Sequence, residues 1–177
     1  MENNAANNNR MMTGMFRDRE SAENAYNSLH ARGYTQDDIN LMMSDDTRRR
    51  HFENAEVETE LGNKALEGAG TGSAIGGTAG AIIGAIAAIG TAVALPGLGL
   101  VVAGPLAAGL AGAGAGGLTG GIVGALVGSG IPEERAVEYE SGVKDGGIVM
   151  GVTPRTKEDA DYFESDWKNN RGEYIHR

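Results

Sequence analysis

The chain has 177 residues, no cysteine and a formal net charge of −9 at pH 7. Without cysteine there is neither a disulfide framework nor thiol chemistry. The acidic balance argues against a nucleic-acid-binding protein, whose surface must be basic, and gives no general attraction to anionic lipid.

The first forty residues predict a strand, a helix and a second strand. Residues 1–10 are polar and Asn-rich and contain no apolar signal-peptide core, so we expect a disordered tail. An apolar run from Met11 to Phe16 predicts strand one, and Ile39 to Met43 predicts strand two. Between them, Asp18 or Ser21 can cap a helix that ends at Gly33. The helix should bury one face, formed by Ala22, Ala25, Tyr26 and Leu29.

A highly charged stretch, residues 44–64, follows strand two and predicts a short amphipathic helix. It contains the one basic cluster of the chain, Arg48, Arg49 and Arg50. One interpretation is a solvated helix face balanced by nearby acidic side chains. The alternative is a contact between these arginines and lipid headgroups.

A glycine-rich apolar segment then runs from Gly68 to Pro132. These 65 residues include no charged side chain and no His, Asn or Gln. They contain 21 of the 29 glycines of the chain. Four-residue spacing places small residues on one ridge of a helix, where two backbones can approach closely. The pattern predicts a glycine zipper of two helices, 69–95 and 105–130, each about 40 Å long and able to span ~30 Å of hydrocarbon. The predicted helix-packing or oligomer residues are Gly72, Gly76, Gly80, Gly84, Gly112, Gly116, Gly120, Gly124 and Gly128.

The tip between the two predicted helices is unusually apolar for a water-exposed loop. Its two prolines prevent regular helix, yet no Asn, Asp or Ser is present to satisfy the free backbone groups. We therefore expect the tip to be inaccessible to water, either in lipid or in a protein core. The apolar tip residues are Leu95, Leu98, Leu100, Val101 and Val102.

The C-terminal part repeats the pattern of the N-terminal part. Pro132 predicts the start of a helix that runs to about Lys144. A strand at 148–152, a helix capped by Thr156 and a last strand at 173–176 complete the chain. Two strand–helix–strand units predict an α+β fold, a ferredoxin-like βαββαβ domain with a long glycine-zipper α-helical hairpin inserted between strands two and three. The expected divisions are a tail at 1–10, a first half at 11–67, the hairpin at 68–131 and a second half at 132–177.

Segments on both sides of the glycine-rich region resemble a family of bacterial general-stress and heat-induced proteins. The resemblance covers roughly Met11 to Val152 and lies in MTGMFRDRESAENAYNSLHARGYTQDDINLMMSD, the glycine zipper and IPEERAVEYESGVKDGGIVMGV. It implies a non-enzymatic, stress-associated bacterial protein. The resemblance provides no catalytic residues, because the family signature consists mostly of core and turn positions.

Motifs for catalysis or cofactor binding are weak. The three histidines, His30, His51 and His176, lack the spacing of a metal site. Gly72-Ser73 lacks the following glycine of a nucleophile elbow, and the glycines of GAGTGSAIGG continue at period four instead of following a strand. We predict no catalytic, cofactor or metal residue.

The sequence thus favours a self-assembling protein over an enzyme. The first hypothesis is a stress-response protein that forms homo-oligomers through the hairpin, in or on a lipid bilayer, cytoplasmic and associated with the inner membrane. The alternative is a soluble homo-oligomeric scaffold or shell whose hairpins form a shared apolar core.

Overall fold

The fold is α+β and is built on one antiparallel sheet. A computed structural model describes residues 10–52, 93–95, 99–107, 121–128 and 130–177. Six strands form the sheet in the order β3-β4-β2-β5-β1-β6, and every neighbouring pair is antiparallel. The strands are β1 (Met12–Phe16), β2 (Ile39–Ser44), β3 (Val93–Leu95), β4 (Leu100–Ala103), β5 (Ile148–Val152) and β6 (Glu173–His176).

Helices cover both faces of this sheet. In the described parts of the chain the α-helices are α1 (Arg19–Ala31), α2 (Asp45–Phe52), α3 (Gly121–Gly128), α4 (Glu133–Lys144) and α5 (Lys157–Asn169). One hydrophobic cluster joins α1 and α5 to the sheet, and a second joins α3 and α4 to the opposite face. The sheet is therefore the middle of three layers.

Strand side chains alternate between the two clusters. In β1, Met12 and Phe16 belong to the cluster under α1 and α5, whereas Met15 belongs to the cluster under α3 and α4. In β5, Met150 and Val149 divide in the same way. Since both faces of the sheet are covered, every residue of these two strands is buried, including Thr13 of β1, and β5 is apolar throughout.

The two strand–helix–strand patterns of the sequence are confirmed as elements. The strand at 148–152 and the strand at 173–176 have the predicted bounds, and the strands at 12–16 and 39–44 differ by one residue at one end. Asp18 caps α1 by accepting a hydrogen bond from the Ser21 amide, and Thr156 caps α5. Gly33 has a φ of +79°, the left-handed region expected of a glycine that ends a helix.

The tip of the predicted hairpin is the main correction. Helix was expected through Leu95, but Val93–Leu95 is a strand, and the expected irregular tip contains a second strand, β4. β3 pairs with β4, and β4 pairs with β2. The backbone of Leu100–Ala103, which was expected to be irregular, is therefore paired within the sheet. The β-branched Val93, Val101 and Val102 suit this conformation.

The sheet also differs from the expected four-stranded ferredoxin-like arrangement. Two additional strands from the glycine-rich segment extend it beyond β2, so that β2 is no longer an edge strand. Helices lie on both faces instead of one, because α3 and α4 pack under the second cluster.

Several predicted zipper positions lie outside the described residues. These are Gly72, Gly76, Gly80, Gly84, Gly112, Gly116 and Gly120, together with Leu98 of the tip, and the tail at 1–9.

Candidate functional site

The predicted zipper is represented among the described residues by α3. This helix has the sequence GIVGALVG and carries no charged or hydrogen-bonding side chain. Its inner face is formed by Ile122 and Leu126, four residues apart, which are 4% and 0% exposed and pack in the cluster under the sheet. The two largest side chains of this helix, Ile122 and Leu126, therefore pack in the core of the same chain.

The opposite face of α3 is small and apolar. At 100° per residue, Gly124, Val127 and Gly128 lie on the side of the helix away from Ile122 and Leu126. Val127 is 42% exposed, Gly128 is exposed and Gly124 is half-buried. We call these three residues the outer face of α3. A β-carbon built at Gly128 meets no atom within 4 Å, so the surface there is open.

The neighbouring helix, α4, continues this layer. It packs against α3 and carries Val137, which is 52% exposed. Its other exposed residues are polar or charged and include Glu133 and Glu134, which precede an ion pair between Arg135 and Glu138 at 2.8 Å. This layer therefore exposes apolar side chains on both helices, next to acidic residues at the start of α4.

Asn40 fixes the glycine-rich segment to the sheet. It lies on β2 and is 7% exposed, and its Oδ1 accepts a hydrogen bond of 2.6 Å from the Leu106 amide, at the helical turn that follows β4. Gly104, immediately before this turn, has a φ of +89° and lies so close to β2 that a β-carbon there would collide with the Ile39 carbonyl oxygen. The Gly99 carbonyl accepts a hydrogen bond of 2.8 Å from the Asp45 amide. Both ends of β4 are thus held by the chain around β2.

The tip residues have a definite place. Leu100, Val101 and Val102 are 2%, 4% and 0% exposed and lie in β4, inside the sheet of their own chain. Leu95 ends β3. Leu100, Val101 and Val102 therefore lie in a protein core, one of the two environments expected for the tip, and this core is formed by the sheet and helices of their own chain.

The basic cluster lies on α2 and is neutralised locally. Arg48 and Arg49 form ion pairs with Asp45 at 3.1 and 2.7 Å, and Arg50 pairs with Asp46 at 3.5 Å. This geometry fits the interpretation of a solvated helix face, since exposed pairs at these spacings contribute only a few tenths of a kcal/mol.

A polar network links α1 to α5 at one end of the sheet. Asp159 accepts hydrogen bonds from Arg32 at 2.8 Å and from the Tyr34 hydroxyl at 2.9 Å, and the Arg155 amide donates to the same hydroxyl at 2.6 Å. Burial acts to raise the pKa of Asp159, but the hydrogen bonds from Arg32 and Tyr34 outweigh it, so the pKa lies below its ordinary value. Arg155 also pairs with Asp38 at 2.9 Å. Each charged side chain of this network has a partner, so we interpret the network as a structural contact that joins α1 to α5.

Tyr139 forms a second buried polar contact, on the opposite face. Its hydroxyl hydrogen-bonds to Thr13 Oγ1 at 2.8 Å and to the Tyr174 carbonyl at 2.9 Å. Burial raises the pKa of Tyr139 to about 12. The hydroxyl therefore stays neutral and holds β6 to α4 across β1.

The described part of the chain offers little to a substrate or metal ion. No group of three or more His, Cys, Asp or Glu side chains in it could hold a metal. One cavity, ≈ 10 Å³ in volume, lies between the sheet and α3 and is about the size that a single water molecule requires.

Sequence reasoning missed Asn40 and Asp159. A polar residue in an otherwise apolar strand was the available signal for Asn40. Asp159 gave no such signal, because its partners, Arg32 and Tyr34, are more than 120 residues away in the chain.

The fold defines an α+β protein with an antiparallel sheet between two helical layers. Over the ranges that the structure describes, no helix combines the length and apolarity needed to cross a membrane. Comparison with family models, curated proteins and solved structures gave no match. The function must therefore be argued from the residues themselves.

Proposed function

We propose that this protein is a non-enzymatic, homo-oligomeric scaffold that assembles through the outer face of α3. One observation carries this proposal: Gly124, Val127 and Gly128 form an uncharged surface on a helix whose Ile122 and Leu126 side chains are already buried. Small residues allow a second helix to approach closely, and the dispersion gained depends on that approach. The occupant that we propose is the same face of a second copy.

The choice of a second copy as the partner rests on the uncharged outer face of α3, because charge alone does not favour it. The chain has a net charge of −9, and Glu133 and Glu134 lie exposed on the adjoining helix. Two such copies repel at low ionic strength, so assembly should strengthen as salt screens that repulsion. Attraction to a basic partner would weaken under the same conditions.

The experiment is light scattering coupled to size-exclusion chromatography on the full chain. Val127→Lys places a charge in the proposed interface and should shift the protein to monomer. Ser165→Lys is the matched control, because Ser165 is exposed on α5, in the opposite layer, and the charge change is the same. A monomeric wild-type protein at high and low salt, or equal behaviour of the two variants, would refute the proposal.

A second candidate is assembly in or on a membrane, favoured by the 65-residue run without charge. In this proposal the glycine-rich segment, apart from β3, β4 and α3, enters lipid, and the α+β part that contains these three elements stays outside. Flotation with neutral phosphatidylcholine vesicles distinguishes it from the scaffold, since the scaffold stays at the bottom of the gradient. Association with stress in a bacterial cell remains part of both proposals and rests on the resemblance alone.

The ferredoxin-like origin of the fold is likewise proposed. Four strands, β2, β5, β1 and β6, are neighbours in that order and alternate with α1 and α5 along the chain as βαββαβ. That order supports an ancestral split unit to which β3, β4, α3 and α4 were added between its two halves.

A further inference from the structure

The methionines of this chain differ sharply in exposure. Among the described residues, Met12, Met15, Met42, Met43 and Met150 are each at most 1% exposed. Met11 is half-buried and is therefore the most exposed of the described methionines. Oxidation of a thioether depends on access to the sulfur, so Met11 is distinguished from the others before any further argument.

The Asn40 side chain is arranged around Met11. Because Asn40 Oδ1 accepts from the Leu106 amide at 2.6 Å, the orientation of the side-chain amide is fixed, and its NH₂ group points the other way. That nitrogen has two partners, Met11 Sδ and the Gly151 carbonyl, both at 3.5 Å. Sulfur is a weak acceptor, and 3.5 Å is long for an N–H···O bond, so a buried donor is poorly satisfied next to the sulfur.

A space of suitable size adjoins this pair. The ≈ 10 Å³ cavity is lined by both Met11 and Asn40, with Thr13, Leu106 and Gly151 among its other walls. Its volume is about that of one water-sized atom. Gly151 contributes to this space, because a β-carbon there would lie 3.2 Å from Met11 Sδ.

We propose that Met11 is a site of reversible sulfoxidation whose added oxygen enters the cavity and accepts a hydrogen bond from Asn40 Nδ2. The oxidant is hydrogen peroxide. The sulfur lone pair attacks one peroxide oxygen and forms the S–O bond while the O–O bond breaks, and the departing hydroxide takes the proton of the new S–OH group to become water. The sulfur loses two electrons and the peroxide gains them; a thiol-dependent sulfoxide reductase reverses the step.

The fold should tolerate this modification. A sulfoxide oxygen is a stronger acceptor than a thioether, so it satisfies a donor that now has only weak partners. Oxidation at the buried Met15, which does not line the cavity, would instead place a polar oxygen in a packed core. Met11 is therefore expected to accept the oxygen with the sheet and the Leu106 contact intact.

The first test is the rate of oxidation at each methionine. The native full-length protein is treated with dilute hydrogen peroxide, quenched at intervals and analysed by peptide mass spectrometry. Met11 should be modified at least about tenfold faster than any of the five buried methionines, because their oxidation requires the protein to open. A rate at Met11 no greater than at the buried sites would overturn the proposal.

The second test separates a receiving site from simple exposure. Oxidised wild-type protein should melt at the same temperature as the reduced protein or up to about 4 °C higher, because one buried donor gains a partner. Asn40→Asp keeps the acceptor for the Leu106 amide but removes the donor, so oxidation should lower its melting temperature. Met11→Leu controls for oxidation elsewhere and should not change. Equal falls in wild type and Asn40→Asp would show that Asn40 does not receive the oxygen.

If Asn40→Asp does not fold, a substitution at Met11 tests the same proposal with Asn40 unchanged. Met11→Gln places a carbonyl oxygen near the position of the sulfoxide oxygen. It should melt at or above the temperature of Met11→Leu, which fills the same space without an acceptor. A lower melting temperature for Met11→Gln would mean that the cavity rejects a polar atom, contrary to the proposal.

Discussion

Replacing Gly104 by Ala tests whether the glycine-rich segment belongs to the sheet. Two costs are expected. The first is the φ of +89°, which an L-residue adopts at about 1–2 kcal/mol. The second is steric: the new β-carbon would collide with the Ile39 carbonyl and lie 3.0 Å from the Asn40 α-carbon, both backbone atoms of β2 that cannot rotate away. Overpacking of this kind costs about 1–3 kcal/mol.

Gly130 provides a matched control for the backbone cost. Its φ is +88°, nearly the same, but a β-carbon there meets no atom within 4 Å. Gly130→Ala should therefore be destabilised only by the unfavourable φ. Gly104→Ala should be less stable than Gly130→Ala by about 1–3 kcal/mol, because of the added steric clash. In a chain of this length that difference corresponds to roughly 2–12 °C in melting temperature.

The assay is denaturant unfolding followed by tryptophan fluorescence. Trp167 is the only tryptophan and lies fully buried on the inner face of α5, so its fluorescence emission reports unfolding of the core. Low protein concentration keeps assembly from contributing to the measured stability. Equal losses in the two variants would refute the close approach of residue 104 to β2, and with it the inclusion of β4 in the sheet.

Three further predictions follow from other contacts. Tyr139→Phe should cost about 1–2 kcal/mol and increase hydrogen exchange in β6, because the hydroxyl joins Thr13 to the Tyr174 carbonyl. The same tyrosine makes the free energy of unfolding depend on pH, because burial raises its pKa in the folded state from 10.0 to about 12. Its contribution to stability is complete below pH 10 and is lost as the pH rises towards 12. Tyr139→Phe should therefore weaken this alkaline loss of stability in unfolding titrations. Asp159→Asn should lower the free energy of unfolding by on the order of 1 kcal/mol at pH 7, because the carboxylate accepts hydrogen bonds from Arg32 and Tyr34. The loss should shrink as the pH falls through the lowered folded pKa of Asp159, where the wild-type carboxylate itself becomes protonated. An unchanged difference between variant and wild type at low pH would contradict this reasoning.

The elements of the two sequence ends could be predicted because their signals are local. Asp18 and Thr156 cap helices within three residues, and the apolar runs of β1 and β5 have no competing pattern. The inner face of α3 is likewise a local feature of the sequence, since Ile122 and Leu126 are four residues apart and lie on one side of any helix.

The pairing of β4 with β2 could not be predicted from local patterns. LVVA is as compatible with a buried loop or a lipid-embedded tip as with a strand, and only the free edge of β2, some sixty residues earlier, decides between them. The period-four glycines stop at Gly84 and resume at Gly104, and this gap indicates a break between helices but does not distinguish a loop from the strands at Val93–Leu95 and Leu100–Ala103. The Asn40–Leu106 contact depends on the same long-range pairing.

The proposal that copies meet at the outer face of α3 is tested most directly by cross-linking. The native chain has no cysteine, so Val127→Cys and Ser165→Cys each introduce a single thiol on an exposed position, one in the proposed interface and one in the opposite layer. Treatment of the full-length variants with a short bis-maleimide, followed by denaturing electrophoresis, measures how closely two copies approach at each position. The account predicts rapid covalent dimers from Val127→Cys and monomers from Ser165→Cys. Dimers at equal rates from both variants, or from Ser165→Cys alone, would contradict it.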